Sequence, residues 1–129
     1  MRFKYIIRVF FASVLFLMSV TNVYANNYNA GFVAAESGDY ATALKLWGPL
    51  AKQGNALAQF NLALLYHSGL GVAADEQKAV TLYHLSADNG YSLAQEFLTV
   101  GYGEGWFGLE VDKQKAQYWQ QKLDSEKID

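Results

Sequence analysis

The chain has 129 residues, one proline, no cysteine, and 12 acidic against 10 basic side chains, a formal charge of −2 at pH 7. Without cysteine there is no disulfide framework, no thiolate metal site and no lipid-modified cysteine anchor. The acidic balance argues against nucleic acid and anionic lipid as partners, since both would repel it.

The first 25 residues read as a secretory leader. Arg2, Lys4 and Arg8 form a positive start, and an apolar run follows from Val9 to Val20. "TNVYA" then places Val23 and Ala25 where a signal peptidase reads small residues. The run is shorter than the roughly 20 residues a spanning helix needs, so an uncleaved anchor is the weaker alternative. The expectation is cleavage after Ala25, a periplasmic or secreted location, and no stable membrane anchor in residues 26–129. Seven basic side chains then face 12 acidic ones, and stability must come from packing alone.

An internal repeat organises the remainder into units of about 28–54, 55–90 and 91–127. The first contains "GDYATALKLWGPLAKQG", whose Pro49 falls inside a helix, where it removes one hydrogen bond and favours a bend. The second runs through "GNALAQFNLALLYHSGLGVAADEQKAVTLYHLSADNG". A shift of 36 overlays Leu57-Ala58-Gln59 on Leu93-Ala94-Gln95, Tyr66 on Tyr102 and Gly69 on Gly105. Beyond Gly105 the shift becomes 37, matching Gly71 to Gly108, Asp75 to Asp112 and Lys78-Ala79 to Lys115-Ala116, so the last loop is one residue longer.

Each unit reads as two helices. Over 56–68, Leu57, Phe60, Leu62, Leu64, Leu65 and Tyr66 form a broad apolar surface with helical spacing. Asp75 suits the N-cap of the next helix, where Ala79, Leu82, Tyr83 and Ala87 follow one stripe and Glu76, Lys78 and Asp88 fall away from it. Gly90 suits a left-handed C-terminal position, and Ser92 with Gln95 suits a capping box. Tyr40, Trp47, Phe60, Tyr66, Tyr83, Tyr102, Tyr118 and Trp119 occupy expected packing positions.

"GYGEGWFG" places a G-x-G-x-x-G at Gly103, Gly105 and Gly108. A dinucleotide site needs a strand before that loop, a helix after it and a further strand carrying an acidic residue, and the repeat supplies helices in place of the strands. The same glycines recur in "SGLGVAAD", which makes them a repeated turn. His67 and His84 lack the spacing of a zinc helix and read as ordinary helix-surface residues. Glu104 and Glu110 flank the last loop as solvated charges. No catalytic, cofactor-binding or metal-ligating residue is assigned, and no cofactor is expected.

"ALAQFNLALLYHSGLGVAADEQKAVTLYHLSADNG" resembles a Sel1-like repeat, a helical-hairpin relative of the tetratricopeptide repeat. The resemblance rests on Ala58, Leu62, Tyr66, Gly69, Gly71, Val72, Asp75, Lys78-Ala79, Ala87 and Gly90. Ala63 stands where the family usually has glycine, and Leu82 where it usually has tryptophan, which Trp119 retains. The opening unit resembles an abbreviated one and the third a degenerate copy.

The resemblance implies an all-α fold, a short right-handed solenoid of three hairpins, with the first helix of each pair lining a groove. It also implies a non-catalytic protein–protein interaction scaffold or adaptor acting in the bacterial envelope. A narrower alternative is a periplasmic immunity protein that neutralises a toxic effector. An envelope hydrolase fits least, because the relatives linked to that chemistry are cysteine-rich. Gln59, His67 and Glu96 are the polar residues expected to face the groove and bind a partner protein. Trp106 and Phe107 either extend its rim or cap the last hairpin. Self-association stays open, because the ends are a large share of so short a stack.

Overall fold

The structure is a computed structural model in which residues 23–126 are described; residues 1–22 of the expected leader lie outside them. Those residues form six helices and no strand. Helix α1 covers residues 23–36 and is followed by α2 (Tyr40–Lys52), α3 (Ala56–Ser68), α4 (Glu76–Asp88), α5 (Ser92–Glu104) and α6 (Lys113–Glu126). From α2 onward each helix packs on the next, and Trp47 of α2 donates to the Tyr28 carbonyl of α1, so the described residues form a series of hairpins, α1–α2, α3–α4 and α5–α6. The opening unit, read from sequence as abbreviated, has both of its helices, and α1 already includes Val23, Tyr24 and Ala25.

The starts of the even helices are fixed by one residue type at one place in the repeat. Asp39 accepts from the Thr42 amide, Asp75 from the Lys78 amide, and Asp112 from the amides of Gln114 and Lys115. Each carboxylate satisfies backbone donors that the first turn leaves without partners. Donation from the Lys115 amide holds the Asp112 carboxyl below its ordinary range. The loops return to their own hairpins in the same way: the Asp75 amide donates to the Tyr66 carbonyl, and the Asp112 amide to that of Tyr102.

The odd helices differ. Asn55 caps α3 by accepting from the Ala58 amide. In α5 the corresponding residue is Tyr91, which makes no capping bond. The expected Ser92–Gln95 capping box does not form, because Ser92 is already the first helical residue and Gln95 is turned into the core. Tyr91 instead packs its ring on Phe60 at 5.2 Å.

Close approach of the helices rests on alanine. Ala43, Ala58, Ala63, Ala79, Ala87 and Ala94 are fully buried, letting backbones come together while Trp47, Tyr83, Leu98, Tyr102 and Trp119 fill the remaining space. Pro49 lies inside α2 as expected. Leu82 touches both halves of the core. Tyr118 corrects the list of expected packing positions: it is exposed. Trp119 beside it takes the core position, and the helical turn of about 100° between neighbours carries Tyr118 outward.

The two glycine loops make one repeated contact. Gly71 has φ of 69°, and a Cβ there would lie 2.7 Å from the Tyr40 Cβ at the start of α2. Gly108 has φ of 72° and abuts the side chain of Glu76 at the start of α4. Each loop therefore rests on the preceding unit's second helix, at a spot where a side chain would hold the units apart. Gly103, the first glycine of the G-x-G-x-x-G, is an ordinary residue of α5 with no left-handed backbone. Among the described residues, no helix is long and apolar enough to cross a membrane.

Candidate functional site

Among the described residues, the odd-numbered helices carry exposed apolar side chains that recur from unit to unit. On α3, Leu57 and Leu64 are exposed, and on α5, Leu93 and Val100 are exposed. Within each pair the spacing is seven residues, which places both side chains on one face of a helix. The two pairs are related by the repeat shift of 36. On α1, Phe32 and Val33 are exposed as well. Side chains bridge these helices: Asn61 donates to the Tyr28 hydroxyl, and Phe60 meets Phe97 at 6.5 Å. A cleft of about 300 Å³ opens between α1 and α3, with Phe32, Glu36, Asn61 and Leu64 on its walls and Trp47 behind them.

Part of the broad apolar surface read over 56–68 is thus core and part is not. Leu62 and Leu65 are buried against the first hairpin, whereas Leu57 and Leu64 face outward. Periodicity alone does not separate the two sets, because both follow helical spacing.

The five residues expected to bind a partner divide. Glu96 is exposed on α5. Trp106 is 52 % exposed at the end of the face. Gln59 requires correction: only 3 % exposed, it donates to the Ala51 carbonyl at 2.9 Å and accepts from Asn89 at 3.0 Å. Its amide satisfies the end of α2 and is turned away from the groove.

His67 is half-buried, its ring 5.0 Å from that of Phe107, and its Nδ1 has no hydrogen-bond partner among the described residues. The other histidine, His84, lies between helices, with a ring nitrogen 2.8 Å from the Tyr102 hydroxyl and the Trp119 ring at 5.7 Å. Neither is an ordinary surface residue.

Trp106 and Phe107 play different parts. Phe107 folds back and stacks on Phe97 at 4.1 Å, holding a left-handed backbone with φ of 58°. A non-glycine residue keeps that conformation only where its surroundings enforce it. The longer loop explains the split. The Trp106 amide still donates to the Gly101 carbonyl, as Leu70 does to Leu65 in the preceding unit. Glycine replaces Leu65 at position 101, and Leu109 fills the vacated volume, buried in the core. Trp106 is left outside.

Among the described residues, no three acidic or histidine side chains converge as a metal site requires. Glu104 and Glu110 are exposed at the last loop.

The model of the Sel1 repeat family matches residues 56–91 and 92–122, together more than half of the chain. The chain belongs to the Sel1 repeat family. Its matched segments are α3–α4 and α5–α6 with their loops. Among solved structures, it is similar to a protective antigen of uropathogenic Escherichia coli strains displaying an SLR fold. The TM-score is 0.70 with 27% identity, covering 80% of this chain and 23% of that one. It is also similar to a Sel1 repeat protein from Oxalobacter formigenes, with a TM-score of 0.60 and 29% identity, covering 67% of this chain and 66% of the other. The chain thus spans less than a quarter of the first relative and about two thirds of the second. No protein of curated function matches its sequence. Sel1 repeats generally mediate contact between proteins and generally act without catalysis.

Proposed function

We propose that this chain is a non-catalytic adaptor of the bacterial cell envelope that holds a partner protein on the face of α1, α3 and α5. The observation that carries the reading is the exposed pair Leu57 and Leu64, repeated as Leu93 and Val100. Apolar side chains exposed together on one face of a folded domain are costly in water, and such patches mark places that another molecule covers. The rigid helical stack presents it preformed, so little ordering entropy is lost on binding. Trp106 stands at its edge, and tryptophan is among the residues that most often dominate interface energy. Placement in the envelope rests on the leader pattern of residues 1–25.

The test is affinity capture from envelope extract with the purified chain and with Leu64→Asp and Val100→Asp variants. A defined partner should be recovered by the parent and lost by both variants, each keeping its melting temperature within a few degrees. Full recovery by both variants would remove the face from consideration. Trp106→Ala should weaken capture by about tenfold or more, the scale of a hot-spot residue.

A narrower reading is an antidote to a toxic effector, favoured by the excess of 12 acidic over 10 basic side chains, which suits a basic enzyme. Protection of cells expressing a captured enzyme would support it, and capture of a harmless partner would end it.

A further inference from the structure

The docking face is electrically one-sided, and this points to the chemistry of what covers it. Residues 23–36, 56–68 and 92–104, the odd helices, contain no lysine or arginine. Their charged side chains are Glu36, Glu96 and Glu104 together with the titratable His67. Every lysine of the described residues lies on the even helices: Lys45 and Lys52 on α2, Lys78 on α4, and Lys113, Lys115 and Lys122 on α6. Several of these are engaged, Lys115 with Asp112, Lys122 with Asp88 and Lys78 over the Tyr66 ring. None of the three glutamates forms an ion pair with another described residue.

The glutamates also sit among the apolar residues. Glu96 lies three residues after Leu93 and four before Val100, and Glu104 four after Val100, all spacings that place helical neighbours side by side. Glu36 is on the wall of the cleft with Phe32 and Leu64. A purely apolar partner would strip water from these carboxylates and give nothing back. An acidic partner or an anionic lipid would be repelled, whereas a basic one pairs with them.

Resting on the adaptor reading, we infer that the occupant is a cationic amphipathic segment of a partner protein. Its apolar side chains seat on Leu64, Leu93 and Val100, and its lysines or arginines meet Glu36, Glu96 and Glu104.

The probe is an 18-residue amphipathic peptide of leucine and lysine, compared with the same peptide carrying glutamine or glutamate in place of lysine. Binding is read by fluorescence anisotropy on the purified chain. The lysine form should bind at least tenfold more tightly than the glutamine form, and the glutamate form should not bind. Glu36→Gln/Glu96→Gln/Glu104→Gln should weaken the lysine form by roughly tenfold, since exposed pairs contribute a factor of a few each. Glu76→Gln/Asp88→Asn/Asp124→Asn changes the net charge equally, on the even helices away from the face, and should leave affinity within about twofold.

Equal weakening by both triple variants shows attraction to net charge alone and overturns the inference, as does equal affinity for the lysine and glutamine peptides. In that second case, loss of binding by Leu64→Asp preserves the docking face and removes only its preference for cations. If Leu64→Asp binds every peptide as the parent does, the adaptor reading falls with the inference.

Discussion

The Gln59 side chain donates to the Ala51 carbonyl at 2.9 Å, and one unit later Gln95 donates to the Ala87 carbonyl at 3.2 Å. Both carbonyls lie in the last turn of an even helix, where no α-helical amide follows, and each also accepts from the glycine amide that ends the turn, Gly54 or Gly90. Each glutamine ties the first helix of one unit to the end of the preceding unit's second helix. Gln59 also accepts from Asn89, which joins the end of α4 to the same point. Gln59→Leu should therefore lower stability by about 1 kcal/mol, the net worth of the lost hydrogen bonds, since the Ala51 carbonyl keeps the Gly54 amide and Asn89 is exposed to water. Thermal melting checks this, with peptide or partner binding measured well below the transition. Loss of binding at unchanged melting temperature would return Gln59 to the groove.

Tyr83 is fully buried, stacked on Phe97 at 3.9 Å, and its hydroxyl has no hydrogen-bond partner among the described residues. Burial pushes its phenol up to about 12. Removing an unpaired buried hydroxyl takes away a desolvation cost and keeps the ring, so Tyr83→Phe should stabilise the fold by about 1 kcal/mol. A chain of this size should then melt several degrees higher. The parent should also lose stability as pH rises from 10 toward 12, because only its unfolded form ionises readily there. The variant should show less of that loss. A lower melting temperature for Tyr83→Phe would show that the hydroxyl has a partner.

Much of this was legible because the repeat states it twice. Asp75 and its repeat Asp112 announce a helix start, Gly69 and Gly105 a repeated turn, and the structure has the aspartates as caps and the glycines at the helix ends where that turn begins. Gln59 reads as exposed from sequence because it is a polar residue on an apolar helix, while its partner, a carbonyl at the end of another helix, is tertiary. The signal was its recurrence as Gln95 at the same shift, which a groove specific to one partner does not require. Leu57 and Leu64 were indistinguishable from core leucines, since only the neighbouring hairpin decides which side of α3 is covered. Phe107 depended on a left-handed backbone in the lengthened loop, which no propensity reveals for phenylalanine.

The glycines offer a graded test of how the units abut. Gly38 and Gly71 both have left-handed backbones, with φ of 83° and 69°. Alanine at either position should cost about 1–2 kcal/mol for the conformation alone. Nothing lies within 4 Å of the Cβ position at Gly38, whereas at Gly71 the Tyr40 carbonyl carbon would be 2.9 Å away. Backbone cannot yield there without moving α2, so Gly71→Ala should add about 1–3 kcal/mol of overpacking. Gly108→Ala should fall between the two, because the Glu76 side chain it meets can swing aside. Denaturant midpoints for the three variants give the order, and equal losses would show that the loop does not hold the units together.

His84 makes the packing of the last hairpin sensitive to acid. Burial against Tyr102 and Trp119 lowers its pKa below the ordinary 6.5; Asp88 opposes the shift and Lys115 adds to it. With the folded value below the unfolded one, the unfolded chain takes up a proton first as pH falls. Stability should therefore hold above about pH 6.5 and decline from there down to the folded value. His84→Gln removes the titrating ring and should flatten that part of the profile while leaving the decline at more acidic pH, where Asp39 and Asp112, both lowered by their capping bonds, take up protons. Urea midpoints for both chains at pH 7.5, 6 and 5 separate the two effects, and parallel profiles would mean that His84 is solvated in both states.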